Sequence, residues 1–276
     1  MSCRHRLARF FLLLPALWFA GLAASAESGR HANVELLARE KAAGPGSILH
    51  LGVHFALDPG WHIYWTNPGD SGQPPVVKWQ LPSGFSAGEI DWPRPERMQS
   101  TAQLADYGYH GEVLLPVTVQ TPPSPKPGAS VTLAADAKWL VCREVCIPEH
   151  AQLRLDLPVG QSAKENPQSA PLFAAAEKLL PRPMPPGWRA IASSEKDDFI
   201  LSVETGKPLA HADFFPLEPN QIDNAAPQKL LRSAGGVKIV LKKSDLLAKP
   251  VATLRGVLVT PGAAYRIEAR VRQPIK

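Results

Sequence analysis

Residues 138–149 read Lys138-Trp139-Leu140-Val141-Cys142-Arg143-Glu144-Val145-Cys146-Ile147-Pro148-Glu149, and the conformation of this string decides the fold. In a straight strand, residues four apart lie roughly 13 Å apart, at about 3.3 Å per residue. A disulfide needs Cα atoms within about 7 Å. Joining Cys142 to Cys146 therefore requires a turn at residues 143–145. A three-residue hairpin loop sets the two cysteines opposite each other on adjacent strands. An α-helix also brings residues at this spacing together and aligns His150 with them. Pro148 opposes the helix, because it lacks the amide proton and its ring clashes with the preceding turn. The residues on both sides are strand formers, so the hairpin is the expected form.

Outward from this string, the chain alternates apolar and polar residues over many short stretches. In Leu49-His50-Leu51-Gly52-Val53-His54-Phe55 every second residue is apolar, as in a half-buried strand. Asp58-Pro59-Gly60 is a turn signal, and residues 67–72 form a loop rich in Gly, Asn and Asp. Further strands are expected at 34–38, 61–65, 76–80, 87–92, 113–120, 130–141 and 152–157. Twenty-nine prolines in 276 residues leave little room for helices. The one convincing helix is 171–180, opened by Pro171 and stopped by Pro181. Strands resume after Trp188 at 200–204, 237–241, 252–259 and 265–271. The expected fold is all-β, with two immunoglobulin-like sandwiches. The first spans 27–160 and the second, smaller and cysteine-free, spans 185–276. Residues 161–184 form a linker containing the helix.

Residues 1–26 are expected to be a signal peptide. Arg4, Arg6 and Arg9 precede an apolar run at 10–20, and Ala24-Ser25-Ala26 is a small-residue cleavage site. The run is shorter than the roughly 20 residues of a spanning helix. Cys3 leaves with this segment, and no lipid-anchor signal accompanies it. The expected location is the periplasm. Removing three of the 30 basic residues leaves 27 against 25 acidic ones, a net charge of +2. Without a basic cluster, nucleic acid is not an expected partner.

Export leaves two cysteines in a compartment where disulfides persist. Three roles are open to them. A five-residue loop gains only about 2 kcal/mol from cross-linking, and a chain of this length has core enough without it. That favours thiol–disulfide exchange over an inert staple in an adaptor sandwich. Thiolates also suit Cu(I), with His150 near in sequence. The remaining histidines of the exported chain (His31, His50, His54, His62, His110 and His211) are scattered. No nucleophile elbow, phosphate loop or paired-histidine zinc motif occurs.

Four stretches resemble the N-terminal periplasmic domain of the DsbD family of thiol–disulfide interchange proteins, in the branch that includes ScsB-like proteins. They are residues 59–70 (Pro-Gly-Trp-His-Ile-Tyr-Trp-Thr-Asn-Pro-Gly-Asp), 92–97 (Trp-Pro-Arg-Pro-Glu-Arg), 107–113 (Tyr-Gly-Tyr-His-Gly-Glu-Val) and 139–149. The resemblance covers about 30–160 and extends more weakly through Phe214-Phe215-Pro216 and residues 225–228. It implies a redox-active pair at Cys142 and Cys146, with Cys146 forming the mixed disulfides, in a protein-disulfide reductase component that needs no cofactor. It also implies a membrane-embedded transporter domain as electron donor and oxidised periplasmic proteins as acceptors. A cap loop is implied over the sulfurs, for which residues 106–110 are the candidate, with Asp106 and with Tyr107 or Tyr109 as the cover. Two features depart from the family. The cysteine spacing is shorter than in its best-known members, and the sequence carries neither a multi-span membrane domain nor a thioredoxin-like one. The donor is then expected on another polypeptide or on a missing part of this one.

Overall fold

A computed structural model describes residues 24–25, 27–28, 30–123, 130–160 and 164–273. Most of the proposed signal segment lies outside these residues. The first half forms strands β1 (Ala24–Ser25), β2 (Glu27–Ser28), β3 (Ala32–Ala38), β4 (Ile48–Leu57), β5 (His62–Gly69), β6 (Val76–Gln80), β7 (Ser86–Ile90), β8 (Glu96–Gln99), β9 (Ala105–His110), β10 (Glu112–Gln120), β11 (Ser130–Cys142) and β12 (Cys146–Pro158). They make two sheets. One has the order β1-β12-β11-β5-β9-β8, with β6 also on β11; the other has the order β2-β3-β4-β10-β7.

The sheets face each other because their strands alternate. Along β11 buried residues occupy nearly every second place, as a period-two strand with one face on a core requires. Leu36, Leu51, Val53 and Phe55 from one sheet meet Ile63, Trp65, Leu133 and Val141 from the other in a single core. Phe55 and Trp139 close the contact edge to face, with ring centroids 5.4 Å apart.

Helix α1 (Ala170–Leu179) carries proline at its first turn. Ser169 Oγ donates to the Ala38 carbonyl at 2.5 Å. Phe173 and Ala176 pack on Leu114, so the helix lies on the outer side of the second sheet. Leu180 is extended ahead of Pro181, the conformation a following proline imposes.

The second half has β13 (Arg189–Ser194), β14 (Asp198–Glu204), β15 (Asp213–Pro216), β16 (Lys229–Ser233), β17 (Gly236–Lys242), β18 (Thr253–Thr260) and β19 (Ala263–Arg272). These strands follow one hydrogen-bonded path, β15-β18-β19-β13-β14-β17-β16. Its two antiparallel runs are joined by a short parallel ladder that pairs Ile191, Ala192 and Ser193 with Arg270, Val271 and Arg272. Both runs contribute to one core: Phe214, Leu254, Leu258 and Ile267 from one, Phe199, Leu201, Val203 and Ile239 from the other. The two modules are in contact. Phe215 lies edge-on to Trp65 and Tyr107, and Asn67 Nδ2 donates to the Pro216 carbonyl at 2.8 Å.

Candidate functional site

β11 and β12 pair in continuous antiparallel register from Ser130↔Pro158 to Cys142↔Cys146. Residues 143–145 close the hairpin, and the cysteines are opposite and bonded, with Cα atoms 4.1 Å apart. That is close to the roughly 4.5 Å of a narrow, non-hydrogen-bonded pair. In such a pair the backbone N–H and C=O point away from the partner strand. Those of Cys142 point toward β5, where it pairs with His62. Those of Cys146 point outward. Pro148, two residues on, shares that outward parity and so needs no amide proton. Among the described residues, β12 gains partners on its outer edge at its far end, at Arg154 and Leu155 from β1 and at Pro158, whose carbonyl accepts the Ala43 N–H at 2.9 Å.

The two sulfurs differ in environment. Cys142 is 2% exposed, whereas Cys146 is exposed together with Arg143, Glu144 and Val145. Val145 stands 64% exposed at the hairpin tip. Below the tip, Arg143 lies over the Trp61 ring at 5.4 Å, and Trp61 stacks on His31 at 3.7 Å. Glu149 Oε1 accepts the backbone N–H groups of Arg30 (2.9 Å) and His31 (3.1 Å), which ties the start of the described chain to the hairpin stem.

Register decides which residues share the disulfide's face. Cys142 pairs with His62, and His62 pairs with His110 while Tyr64 pairs with Gly108. Directly paired residues point to the same side of a sheet. The outer face therefore carries Cys142, His62, Tyr64, His110 and Asp106. The Tyr64 hydroxyl lies 3.5 Å from Cys146 Sγ. Burial pushes the Tyr64 hydroxyl's pKa up, a hydrogen bond with the Ser71 side chain pulls it back, and nearby Asp106 pushes it up again. His62 lies against both Tyr64 and His110, with ring centroids at 5.3 and 5.5 Å. Its Nε2 is buried and has no hydrogen-bond partner among the described residues. Burial lowers the His62 pKa; His110 acts in the same direction and Asp106 against it.

The expected cap loop at 106–110 is a strand, β9, and its tyrosines face the other way. Tyr107 donates to Asn224 Oδ1 at 2.8 Å and Tyr109 to the Pro93 carbonyl at 2.7 Å, both buried. Strand alternation is the reason: Tyr109 pairs with Ile63, a core residue. Tyr64 is the tyrosine that meets a sulfur. Asp106, on the outer face, accepts from the Ser71 N–H at 2.9 Å and from Ser100 Oγ at 2.6 Å. It thereby fixes the 70–72 loop beside Tyr64. Gly72 has a positive φ of 74°, and a Cβ there would come within 2.1 Å of the Tyr64 ring. Only glycine permits this approach.

His150 does not join the sulfurs. It lies four residues along β12 from Cys146, opposite Lys138, roughly 13 Å away at about 3.3 Å per residue. No group of three or more His, Cys, Asp or Glu is placed to hold a metal among the described residues. His31, His50, His54 and His110 each meet a carboxylate.

An edge-strand disulfide with one exposed sulfur on a two-sheet module is the arrangement to compare with known proteins. Residues 33–158 match the family model described as "Thiol:disulfide interchange protein DsbD, N-terminal". That segment holds the disulfide and, apart from β1, β2 and the first residue of β3, the strands of both sheets. The whole chain is also similar in structure to the N-terminal periplasmic domain of ScsB from Proteus mirabilis, with a TM-score of 0.68 and 18% sequence identity, over 92% of this chain and 98% of that one. At that identity the likeness is one of fold. It extends to the second module, beyond the segment that matches the DsbD family model. No curated protein matches the chain.

Proposed function

We propose that the chain is a periplasmic thiol–disulfide interchange module that passes electrons through Cys142 and Cys146 to oxidised envelope proteins. The observation that carries this is the unequal exposure of two bonded cysteines, Cys142 buried and Cys146 exposed, at an open strand edge. In the reduced protein, the Cys146 thiolate attacks a substrate disulfide. The substrate S–S bond breaks, one substrate sulfur leaves as a thiolate and takes a proton, and the other stays bonded to Cys146. Cys142 then attacks Cys146 Sγ, which releases the second substrate thiol and re-forms the Cys142–Cys146 bond. Two electrons and two protons reach the substrate. The same steps in reverse, from the dithiol of a membrane-embedded donor domain, recharge the pair.

Residues 1–26 serve as the export signal in this reading, and the working chain divides at 27–160, 161–184 and 185–276. Val145 and the open edge beside Cys146 offer a partner the first contact. Tyr64 and the 70–72 loop, fixed by Asp106, take the covering role. A Cys142→Ser variant should accumulate mixed disulfides with envelope proteins, seen as bands that collapse on reduction. Cys146→Ser should trap none. Equal trapping by the two variants, or trapping by neither, overturns the reading. Stoichiometric Cu(I) binding by the reduced protein that survives a competing chelator would redirect the same thiols to copper handling.

A further inference from the structure

Asn224 belongs to the second module, on the connection between β15 and β16, and is 4% exposed. Its own loop is braced from below. Asp223 Oδ1 accepts the N–H groups of Ala225 (3.1 Å) and Ala226 (3.0 Å), and Asp223 Oδ2 accepts from Lys242 at 2.7 Å. The Asn224 side chain bonds to the first module. Its Oδ1 accepts from the Tyr107 hydroxyl at 2.8 Å, and its Nδ2 donates to Asp70 Oδ1 at 2.7 Å. Arg97, also from the first module, donates to the Asn224 carbonyl and, at 2.6 Å, to that of Ala226. An amide suits this place because it both donates and accepts. It can join a carboxylate, which only accepts, to a phenol, which here donates.

Asp70 opens the loop that lies on the redox face. Its Oδ2 accepts the Ala105 N–H at 2.8 Å, and its own N–H donates to the Ala105 carbonyl at 3.1 Å. The next two residues reach Tyr64. The Ser71 side chain lies near enough to the Tyr64 hydroxyl to pull that group's pKa down, and Gly72 packs so close to the ring that a Cβ there would come within 2.1 Å of it. Tyr64 in turn meets Cys146 Sγ at 3.5 Å. An unbroken series of contacts thus runs from the second module to the exposed sulfur.

We infer that Asn224 is a positioning residue through which the second module holds the 70–72 loop against Tyr64 and so sets how fast a thiol reaches the Cys142–Cys146 disulfide. The inference rests on Cys146 being the sulfur that exchanges. It gives the cysteine-free half of the chain a part in the chemistry of the other half. Removing the amide leaves the buried Tyr107 hydroxyl without its acceptor and frees the exposed Asp70 carboxylate from its tie to the second module, and the loop then relaxes toward solvent.

The test is the rate at which dithiothreitol reduces the oxidised full-length protein, followed by thiol alkylation and mass spectrometry. One dithiothreitol sulfur attacks Cys146 Sγ and Cys142 leaves as a thiolate that takes a proton. The reagent's second sulfur then closes its own ring and frees Cys146. Asn224→Ala should raise this rate about fivefold, as expected for losing the one hydrogen bond that ties Asp70 to the second module. Asn224→Asp, which turns the donor facing Asp70 into a second carboxylate, should raise it further. Tyr64→Ala should also speed reduction, and adding Asn224→Ala to it should change the rate by less than about twofold, since both act through the same contact. Rates of the Asn224 variants equal to wild type, or effects that add in full to that of Tyr64→Ala, overturn the inference and leave Asn224 as a tie between modules. If Asn224→Ala does not fold, Asp70→Ala cuts the same link from the other side and is read in the same way. The rate needs no biological partner. Failure to trap mixed disulfides in envelope extracts would therefore sink the interchange function and leave this result readable.

Discussion

Along β5, Ile63 and Trp65 turn into the sandwich core while His62 and Tyr64 turn outward; along β9, Tyr107 and Tyr109 turn inward while Asp106 and His110 turn outward. The two faces of one sheet are thus built from the same aromatic-rich strings with opposite parity. The inner face is closed by packing, as Trp65 and Tyr107 against Phe215 show. The outer face holds polar groups next to sulfur, including an imidazole nitrogen without a partner. Aromatic packing fills one side, and on the other polar side chains stand beside the disulfide. Substitutions on the two faces should therefore fail in different ways: inner ones in stability, outer ones in reactivity.

The largest effect should come from the inner face. Trp65 is 1% exposed, and burying a side chain of that size makes its truncation cost about 3–5 kcal/mol. Its indole nitrogen is buried without a partner among the described residues, so Trp65→Ala also removes an unpaired donor and should fall in the lower half of that range. Denaturant unfolding measures the loss. The folded fraction should still be reduced by dithiothreitol at the wild-type rate. A changed rate would break the division between the faces. The outer face should show the reverse. Tyr64→Phe keeps the ring under Gly72 and removes only the hydroxyl that meets Cys146. Stability should change by no more than about 1 kcal/mol, while attack of the reduced protein on a model disulfide slows about fivefold. Stopped-flow kinetics on the variant gives the answer.

The parity that separates these faces was the part least legible in the sequence. The hairpin could be read because a disulfide four residues apart permits few backbones, and Pro148 removes the helical one. The helix, expected at 171–180, is found at Ala170–Leu179, because prolines bound it on both sides. The motif around Tyr107 and Tyr109 could not be read in the same way. It has aromatic residues at every second position, which fits strand or loop equally. A shift of one residue exchanges every side chain between faces, and only the pairing of His62 with Cys142 and of His110 with His62 sets the register. Tyr64 lies in the 59–70 string without any local signal to distinguish it from core aromatics such as Trp65. Asn224 and Asp70 are 154 residues apart, and no local pattern reports a contact of that range. The second half was legible as strands. Its single continuous path was not, because the three-residue parallel ladder between β13 and β19 leaves no mark in alternation.

The smallest effect expected on the outer face is also the most specific, and it concerns His62. Burial holds its folded pKa below the ordinary value near 6.5, with His110 acting in the same direction and Asp106 opposing. The unfolded chain therefore binds a proton at this site at a higher pH than the native protein does. Where the unfolded state holds more protons, stability rises with pH. The contribution is fully present above the unfolded value and is lost as pH falls through about 6.5 toward the depressed folded value. His62→Gln cannot titrate, so it should flatten this part of the stability curve, measured by denaturant unfolding between about pH 7.5 and pH 5. Tyr64, Asp106 and His110 lie around His62, and a second imidazole there calls for a control. The His110 imidazole meets Glu96 at 3.3 Å, so a His110→Gln control separates the two histidines. A slope that survives in His62→Gln and vanishes in His110→Gln would move the pH-sensitive group to the exposed end of the pair. Buried chemistry on the outer face would then reduce to the sulfur and Tyr64.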